Sequence, residues 1–365
     1  MPRLGKRCIF CGEPPQDKTL EHVIPLWLIK HTGDAKRVVF HGMHFGNAPS
    51  EMRPKLFAFD QYKFPSCRAC NEHWGVLEVR AKKTIQCLEN EIAVTSQDLS
   101  GLLDWFDKVR VGIWLSRQMD RSSIARIEAK FHIDQRVGAS DRLLYISWGS
   151  EEKALTTIGV GGAIFAFMPS VFAMRINGLM MFNASSAGLF GHRLGFPKLS
   201  DKKVRSGNGI GYAFHVDAGC EGLRTPVVQQ NYPLPALKIY QPMYRYLNNH
   251  PRFQHYYRTD YVLDHSLEWS VGEGAIFTSD VGGTRKVDQV GPEDYGHGHI
   301  FAGKHLLPKV DRAVASWQRR ISKSGVRGDI NTPERRRQYN QTLERARRID
   351  DRLWKAAISR KAKGR

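Results

Sequence analysis

Two C-x-x-C pairs, Cys8-Ile9-Phe10-Cys11 and Cys67-Arg68-Ala69-Cys70, constrain this chain more than any other feature. Each pair sits on a tight turn and delivers two sulfurs, so together they meet the donor set of a closed tetrahedral zinc site. One pair alone would also suit a redox dithiol. The second pair runs into a helical pattern, and Glu21-His22 stands between the pairs, which selects the metal reading. Of six cysteines only Cys87 and Cys220 remain, which is a metal-binding pattern of a reducing compartment and not a disulfide framework.

Local patterning around the pairs is consistent with such a module. Pro14-Pro15 closes the first turn, and Leu20 to Ile24 reads as a strand with Trp27, Leu28 and Ile29 packing behind it. Residues 31 to 54 read as loop, with Gly33, Gly42, Gly46 and Asn47. Lys55 to Phe64 is aromatic-rich and reads as a second strand. A helix is expected from Cys67, because Trp74, Leu77, Ala81, Ile85 and Leu88 recur at three- and four-residue steps. Cys67, Cys70 and Asn71 then share its first turn.

The stretch resembles the HNH endonucleases, the ββα-metal nucleases whose core is often clamped by a four-cysteine zinc site. Cys8 and Cys11, the E-H-x-x-P string from Glu21 to Pro25, and C-x-x-C-N ending at Asn71 carry the resemblance, over roughly the first quarter of the chain. It implies that His22 is the general base and that Glu21 and Asn71 hold a catalytic divalent cation. It also implies 5′-phosphate and 3′-hydroxyl products. The family's usual Asn shortly before the second cysteine pair is replaced by Tyr62, with Asp60 and Gln61 beside it, so the role of pinning the loop is unassigned. Trp74 and Leu77-Glu78 resemble one subgroup of the family.

The residue types suit that chemistry. An imidazole titrates near neutral pH, as a base for water must, although a histidine taken at random is more often structural. A hard cation such as Mg²⁺ prefers oxygen, which Glu21 and Asn71 offer. A transition metal would recruit an imidazole, for which His73, His41 and His44 are donors. Gly159-Val160-Gly161-Gly162 and Gly207-Asn208-Gly209-Ile210-Gly211 match no phosphate-loop fingerprint and read as turns.

The chain has 365 residues and a formal charge of +19, a balance that favours a polyanionic partner, DNA first and RNA not excluded. Residues 304 to 365 hold 19 Lys or Arg against 6 Asp or Glu, so +13 of that charge lies in the last stretch. A helix starting at Thr332-Pro333-Glu334 would carry Arg335, Arg336, Arg337, Arg345 and Arg348 to phosphates, with Arg80, Lys82 and Lys83 on the cysteine helix adding to them. The uncharged run from Ala154 to Met174 contains Thr, Gly and a central Pro169-Ser170, and reads as buried strands and a turn, not a membrane span. With no apolar leader pattern at the N-terminus, a cytoplasmic protein is expected.

The expected architecture is α+β: a zinc-bound ββα-metal module over 1–95, a mixed α+β domain over 96–303, and a basic helical segment over 304–365. In the middle, Leu99 to Met119 reads as a helix capped by Asp98 or Ser100, and Ser122 to Phe131 as a shorter one. Leu143 to Trp148, Ala163 to Met168, Val171 to Phe182 and Ile210 to Val216 read as strands, with a hairpin at Asn177-Gly178. The functional expectation is a metal-dependent DNA endonuclease with structural Zn²⁺ and catalytic Mg²⁺ or another divalent ion. Two alternatives stand beside it: a non-catalytic nucleic-acid-binding protein, and a subunit active only in a homo-oligomer or with partner subunits.

Overall fold

The computed structural model describes residues 7–44, 53–58, 60, 63–119, 129, 131–138, 141–149, 152–186, 198–206, 209–215, 232–241, 275–280, 283–295, 306–324 and 333–362. Chain order begins with β1 (Thr19–His22), α1 (Leu26–His31), β2 (Val38–His44), β3 (Arg53–Ala58), β4 (Lys63–Ser66) and α2 (Arg68–Glu89). Next come β5 (Val94–Thr95), α3 (Ser96–Met119), β6 (Asp141–Trp148), β7 (Leu155–Ile158), α4 (Ala163–Phe167), β8 (Val171–Ile176) and β9 (Leu179–Ser186). β10 (Lys198–Ser206), β11 (Gly209–His215), β12 (Leu237–Gln241), β13 (Phe277–Asp280), β14 (Gly283–Lys286) and β15 (Gln289–Val290) precede the helices α5 (Leu307–Ser324) and α6 (Pro333–Ala362). Helices and antiparallel strands are both present, an α+β content.

β1 pairs antiparallel with β4, from Thr19 opposite Ser66 to His22 opposite Lys63. The aromatic run expected as one strand is two. Residues 53–58 pair instead with β2, which lies in the stretch expected to be loop, and only β4 meets β1. The glycines of 31–54 masked a pairing that only the partner strand reveals. The first cysteine turn hangs on this hairpin, because Ile9 N–H donates to the Pro65 carbonyl at 2.9 Å.

Seven antiparallel strands form the main sheet, in the order β14-β13-β12-β6-β9-β8-β7. Side chains alternate across it. Leu144, Ile146, Phe172, Met174, Leu179 and Met181 join the core built by α3, whereas Leu143, Tyr145, Ala173, Met180, Phe182 and Ala184 meet Val310, Val314, Trp317 and Ile321 of α5. The sheet is therefore buried on both faces, which is why its strands read as continuous apolar runs and not as alternating ones. The expected hairpin is present: Asn177 takes the left-handed φ of +48° between β8 and β9.

α3 is hydrophobic on more than the expected single face. Nearly every residue from Leu102 to Ser116 is buried, because the helix lies between α2 and the cysteine turns on one side and the sheet on the other. Its cap is neither Asp98 nor Ser100 alone: Thr95 Oγ1 accepts from Asp98 N–H at 3.2 Å, and Asp98 Oδ2 accepts from Thr95 N–H at 3.0 Å. The core that begins at Cys8 continues without interruption through α3 and the sheet to Tyr295.

Ala163–Phe167, expected as strand, is a short helix. Five apolar residues cannot distinguish the two by periodicity. Its exposed amide end is satisfied from far along the chain, as Asp350 of α6 accepts from Ala163 N–H at 2.6 Å and Ile164 N–H at 3.1 Å. α6 starts at Pro333 as expected, with Leu343 and Ala346 buried. The expected helix over 122–131 lies almost wholly outside the described residues. Among the described residues no helix is long and apolar enough to cross a membrane.

Replacing Asp350 with Ala removes both bonds to α4. A loss of roughly 1 kcal/mol in urea unfolding is expected, the usual worth of a helix cap, together with faster tryptic cleavage within 333–362.

Candidate metal centre and the histidine beside it

The four expected cysteines converge. Cys8, Cys11, Cys67 and Cys70 bring their sulfurs within 4.8 Å of one another and could hold a metal ion such as zinc. Two backbone features build the cluster. Gly12 adopts φ +81° and donates to the Cys8 carbonyl at 2.9 Å, closing the first turn; a Cβ there would also lie 2.6 Å from His132 Nδ1. Cys67 is the N-cap of α2, so the helix start presents Cys70 one turn later. Amides already point at the sulfurs, with Cys67 N–H 3.3 Å from Cys8 Sγ and Gln16 N–H 3.4 Å from Cys67 Sγ.

Burial opposes ionisation of Cys8, but the amides of Cys11, Cys67 and Phe10 outweigh it and lower its pKa. Burial pushes Cys11 up to about 11, and burial with the charge of Cys8 and Cys11 pushes Cys70 up as well. Four thiols this close resist becoming four thiolates without a cation among them, which is the electrostatic case for a metal.

Glu21 is held elsewhere. Its carboxylate is buried and accepts from Lys108 Nζ of α3 at 2.6 Å, and the same ammonium bonds Glu78 of α2. Burial raises the Glu21 pKa, against the pull of Lys108 and with the push of Glu78. For Lys108 the two carboxylates outweigh burial, so the ammonium stays charged. One cation between two carboxylates ties β1, α2 and α3 together. Glu78, noted in the sequence only as part of a Leu-Glu pair, thereby acquires a partner 30 residues away.

Alternation along β1 sets Thr19 and Glu21 on the side of α2 and α3 and His22 on the other. Thr19 Oγ1 accepts from Asn71 Nδ2 at 3.1 Å, which leaves the amide oxygen as the Asn71 atom a cation could use. The His22 Nε2 is buried and without a hydrogen-bond partner, and the ring lies close enough to Asp60 and Lys63 to feel both. Burial first, then the charge of Lys63, lowers the His22 pKa, so the ring is neutral at physiological pH. Gln61 and Tyr62, at the place of the family's loop-pinning Asn, lie outside the described residues.

His73 is exposed on α2, edge-on to Trp74 with ring centroids 5.2 Å apart. Among the described residues the four cysteines are the one group of three or more such donors brought together. Arg80, Lys82, Lys83, Arg337, Arg345 and Arg348 are exposed on their helices. The side chains of Arg335, Arg336, His41 and His44 lie outside the described residues. Sequence reasoning missed Lys108, Asp60 and Lys63 as neighbours of the Glu21-His22 pair. Only Lys63 carried a signal, as the residue opposite His22 once β1 and β4 are paired.

Lys108→Ala leaves two buried carboxylates facing each other, and should cost about 3–5 kcal/mol in urea unfolding, as for a broken buried ion pair. The triple variant Glu21→Gln, Glu78→Gln, Lys108→Met should recover most of that loss. Comparison with protein-family models, with curated proteins and with solved structures finds no match.

Proposed function

We propose that this chain is a zinc-clamped nuclease of the HNH type that hydrolyses phosphodiester bonds of DNA, with His22 as the general base. The observation that carries this reading is the state of His22. It ends a strand adjoining the cysteine cluster, its ring is held neutral by burial and the charge of Lys63, and its Nε2 has no hydrogen-bond partner. The order of cysteine turn, strand, strand and cysteine-capped helix supports it, as does Asn71 in the first turn of that helix.

In the proposed reaction a water oxygen attacks phosphorus while His22 Nε2 takes the water's proton. The bond from phosphorus to the 3′ oxygen breaks with its electron pair, and that oxygen takes a proton from solvent, leaving the 5′-phosphate and 3′-hydroxyl ends that the resemblance implies. Lys63, exposed and directly across the hairpin from His22, supplies positive charge for the scissile phosphate. A divalent cation, where bound, would stabilise charge on the phosphate and the leaving oxygen. Glu21 does not fit the role of its ligand, because Lys108 occupies the carboxylate. The exposed arginines of α6 and Arg80, Lys82 and Lys83 of α2 supply contacts to the phosphate backbone that carry no sequence preference.

The commitment of Glu21 to Lys108 favours a second reading, a zinc-scaffolded nucleic-acid-binding protein without catalysis. Supercoiled-plasmid cleavage with Mg²⁺ or Mn²⁺ separates the two. Under the nuclease reading the wild type nicks or linearises the plasmid, and His22→Ala at equal zinc content loses at least about a hundredfold in rate, the usual worth of a general base. Binding by both forms with cleavage by neither would leave the second reading in place.

The clamp itself is tested by elemental analysis of the purified protein. One zinc per chain is expected, with Cys70→Ser losing most of it and unfolding at lower temperature, since a structural zinc contributes directly to folding.

A further inference from the structure

We infer that the outer face of α2 is a dimer interface, and that a second copy of this chain packs on it antiparallel across a two-fold axis. The inner face of the helix, through Trp74, Leu77, Ala81, Ile85 and Leu88, is used up on the core. The outer face carries a second stripe, Glu72, Val76, Val79 and Lys83, all exposed and set at the alternating four- and three-residue steps of a helix–helix seam. Val76 is 57% and Val79 70% exposed. Valine is a poorer helix former than the straight-chain residues, and here burial within the chain does not offset that. Two of them one turn apart on a solvent face mark a surface that another molecule covers.

Charge identifies that molecule. Glu72 stands one turn before the valines and Lys83 one turn after them, and none of the ion pairs among the described residues uses either. The point midway between Val76 and Val79 is also midway between Glu72 and Lys83. A two-fold axis through that point sets Val76 against Val79 of the second copy and Glu72 against its Lys83, each contact made twice. The stripe is thus complementary to itself, as a contact between identical surfaces requires. Parallel packing would instead oppose like charges. A nucleic-acid strand suits the stripe less, because a carboxylate and two apolar side chains fill most of it. In the dimer Lys83 meets a carboxylate, while Arg80 and Lys82 stay at the sides of the seam for phosphate. α2 packs on the Glu21 side of β1, so the seam does not touch the side that carries His22.

The test is sedimentation of the zinc-loaded full chain without nucleic acid, under reducing conditions, from about 1 to about 100 µM, the range suited to a seam smaller than a standard protein interface. The wild type should pass from monomer to dimer across that range. Val79→Ser should weaken the dimer at least about tenfold, since the lost apolar contact occurs twice. Lys83→Glu should weaken it about tenfold, because two exposed ion pairs become two repulsions. The exchange Glu72→Lys with Lys83→Glu restores opposite charges in reversed order and should return most of the affinity. Zinc content and thermal unfolding establish that each variant is folded. A wild type that stays monomeric throughout overturns the inference. A dimer unmoved by Val79→Ser overturns it too, as does a double exchange no tighter than Lys83→Glu alone. DNA binding lost in Val79→Ser, with no dimer in the wild type, would overturn it and assign the stripe to nucleic acid. No arm reads cleavage, so the dimer stands or falls apart from the nuclease reading.

Discussion

A helix buried on every side governs this structure. α3 has the cysteine hairpin and α2 on one flank and the seven-stranded sheet on the other, so its central side chains have little access to water. Yet it carries Asp104, Asp107, Lys108 and Arg110. Each therefore needs a partner inside the protein, since an unpaired buried charge costs several kcal/mol (roughly, after relaxation). Arg110 bonds Asp107 and Asn183, and Arg142 of β6 bonds Asp104 and Gln241. Lys108 points the other way, to Glu21 and Glu78. The helix is thus keyed by charge into both neighbours. Apolar packing alone would allow it to turn or slide, whereas ion pairs with defined partners fix its rotation and register.

That keying decides which residues near the cysteines remain available for chemistry. Glu21 and His22 are neighbours in sequence, but the pleat sends them to opposite sides of β1. On the inner side Glu21 meets the buried Lys108 ammonium and is consumed in fastening β1 to α3. On the outer side His22 meets Asp60 and Lys63, and its Nε2 is buried without a hydrogen-bond partner. The strand pair is therefore asymmetric: one face is anchored by Lys108 and the other carries His22.

The cysteine cluster, α2 and the Asn177 hairpin were legible because each depends on residues close in sequence: paired thiols, a three-to-four periodicity, an Asn-Gly turn. The partner of β1 and the β2–β3 pairing were not, since strand pairing is decided by where distant chain returns. For the same reason the fate of Glu21 was hidden. Nothing local to Glu21-His22 shows that Lys108, 87 residues on, will reach back to it. The failure at Ala163–Phe167 has the same origin, because its helix end is completed by Asp350. Single-sequence reasoning brought together the four cysteines, which came as paired motifs, and missed Lys108, a lone charge whose partners lie across the fold.

The basic C-terminal helix can be read through the same lens. Three of its four acids are engaged, and the fourth, Glu334, is exposed in its first turn. Asp350 caps α4, Asp351 pairs with Arg319 of α5, and Glu344 faces Arg347 and Arg348. Two of these three therefore bind the helix to the body of the protein and do not neutralise its outer surface. Glu344 offsets its two arginines only weakly, since its pairs are long, exposed and screened by salt. What α6 presents to solvent, through Arg337, Arg345, Arg348 and Arg352, is an excess of guanidinium on a helix held down by its carboxylates. Such a surface is already ordered before any polyanion arrives. A disordered basic tail would have to give up chain entropy on contact, whereas a docked helix loses only side-chain freedom, so each phosphate neutralised contributes more to binding.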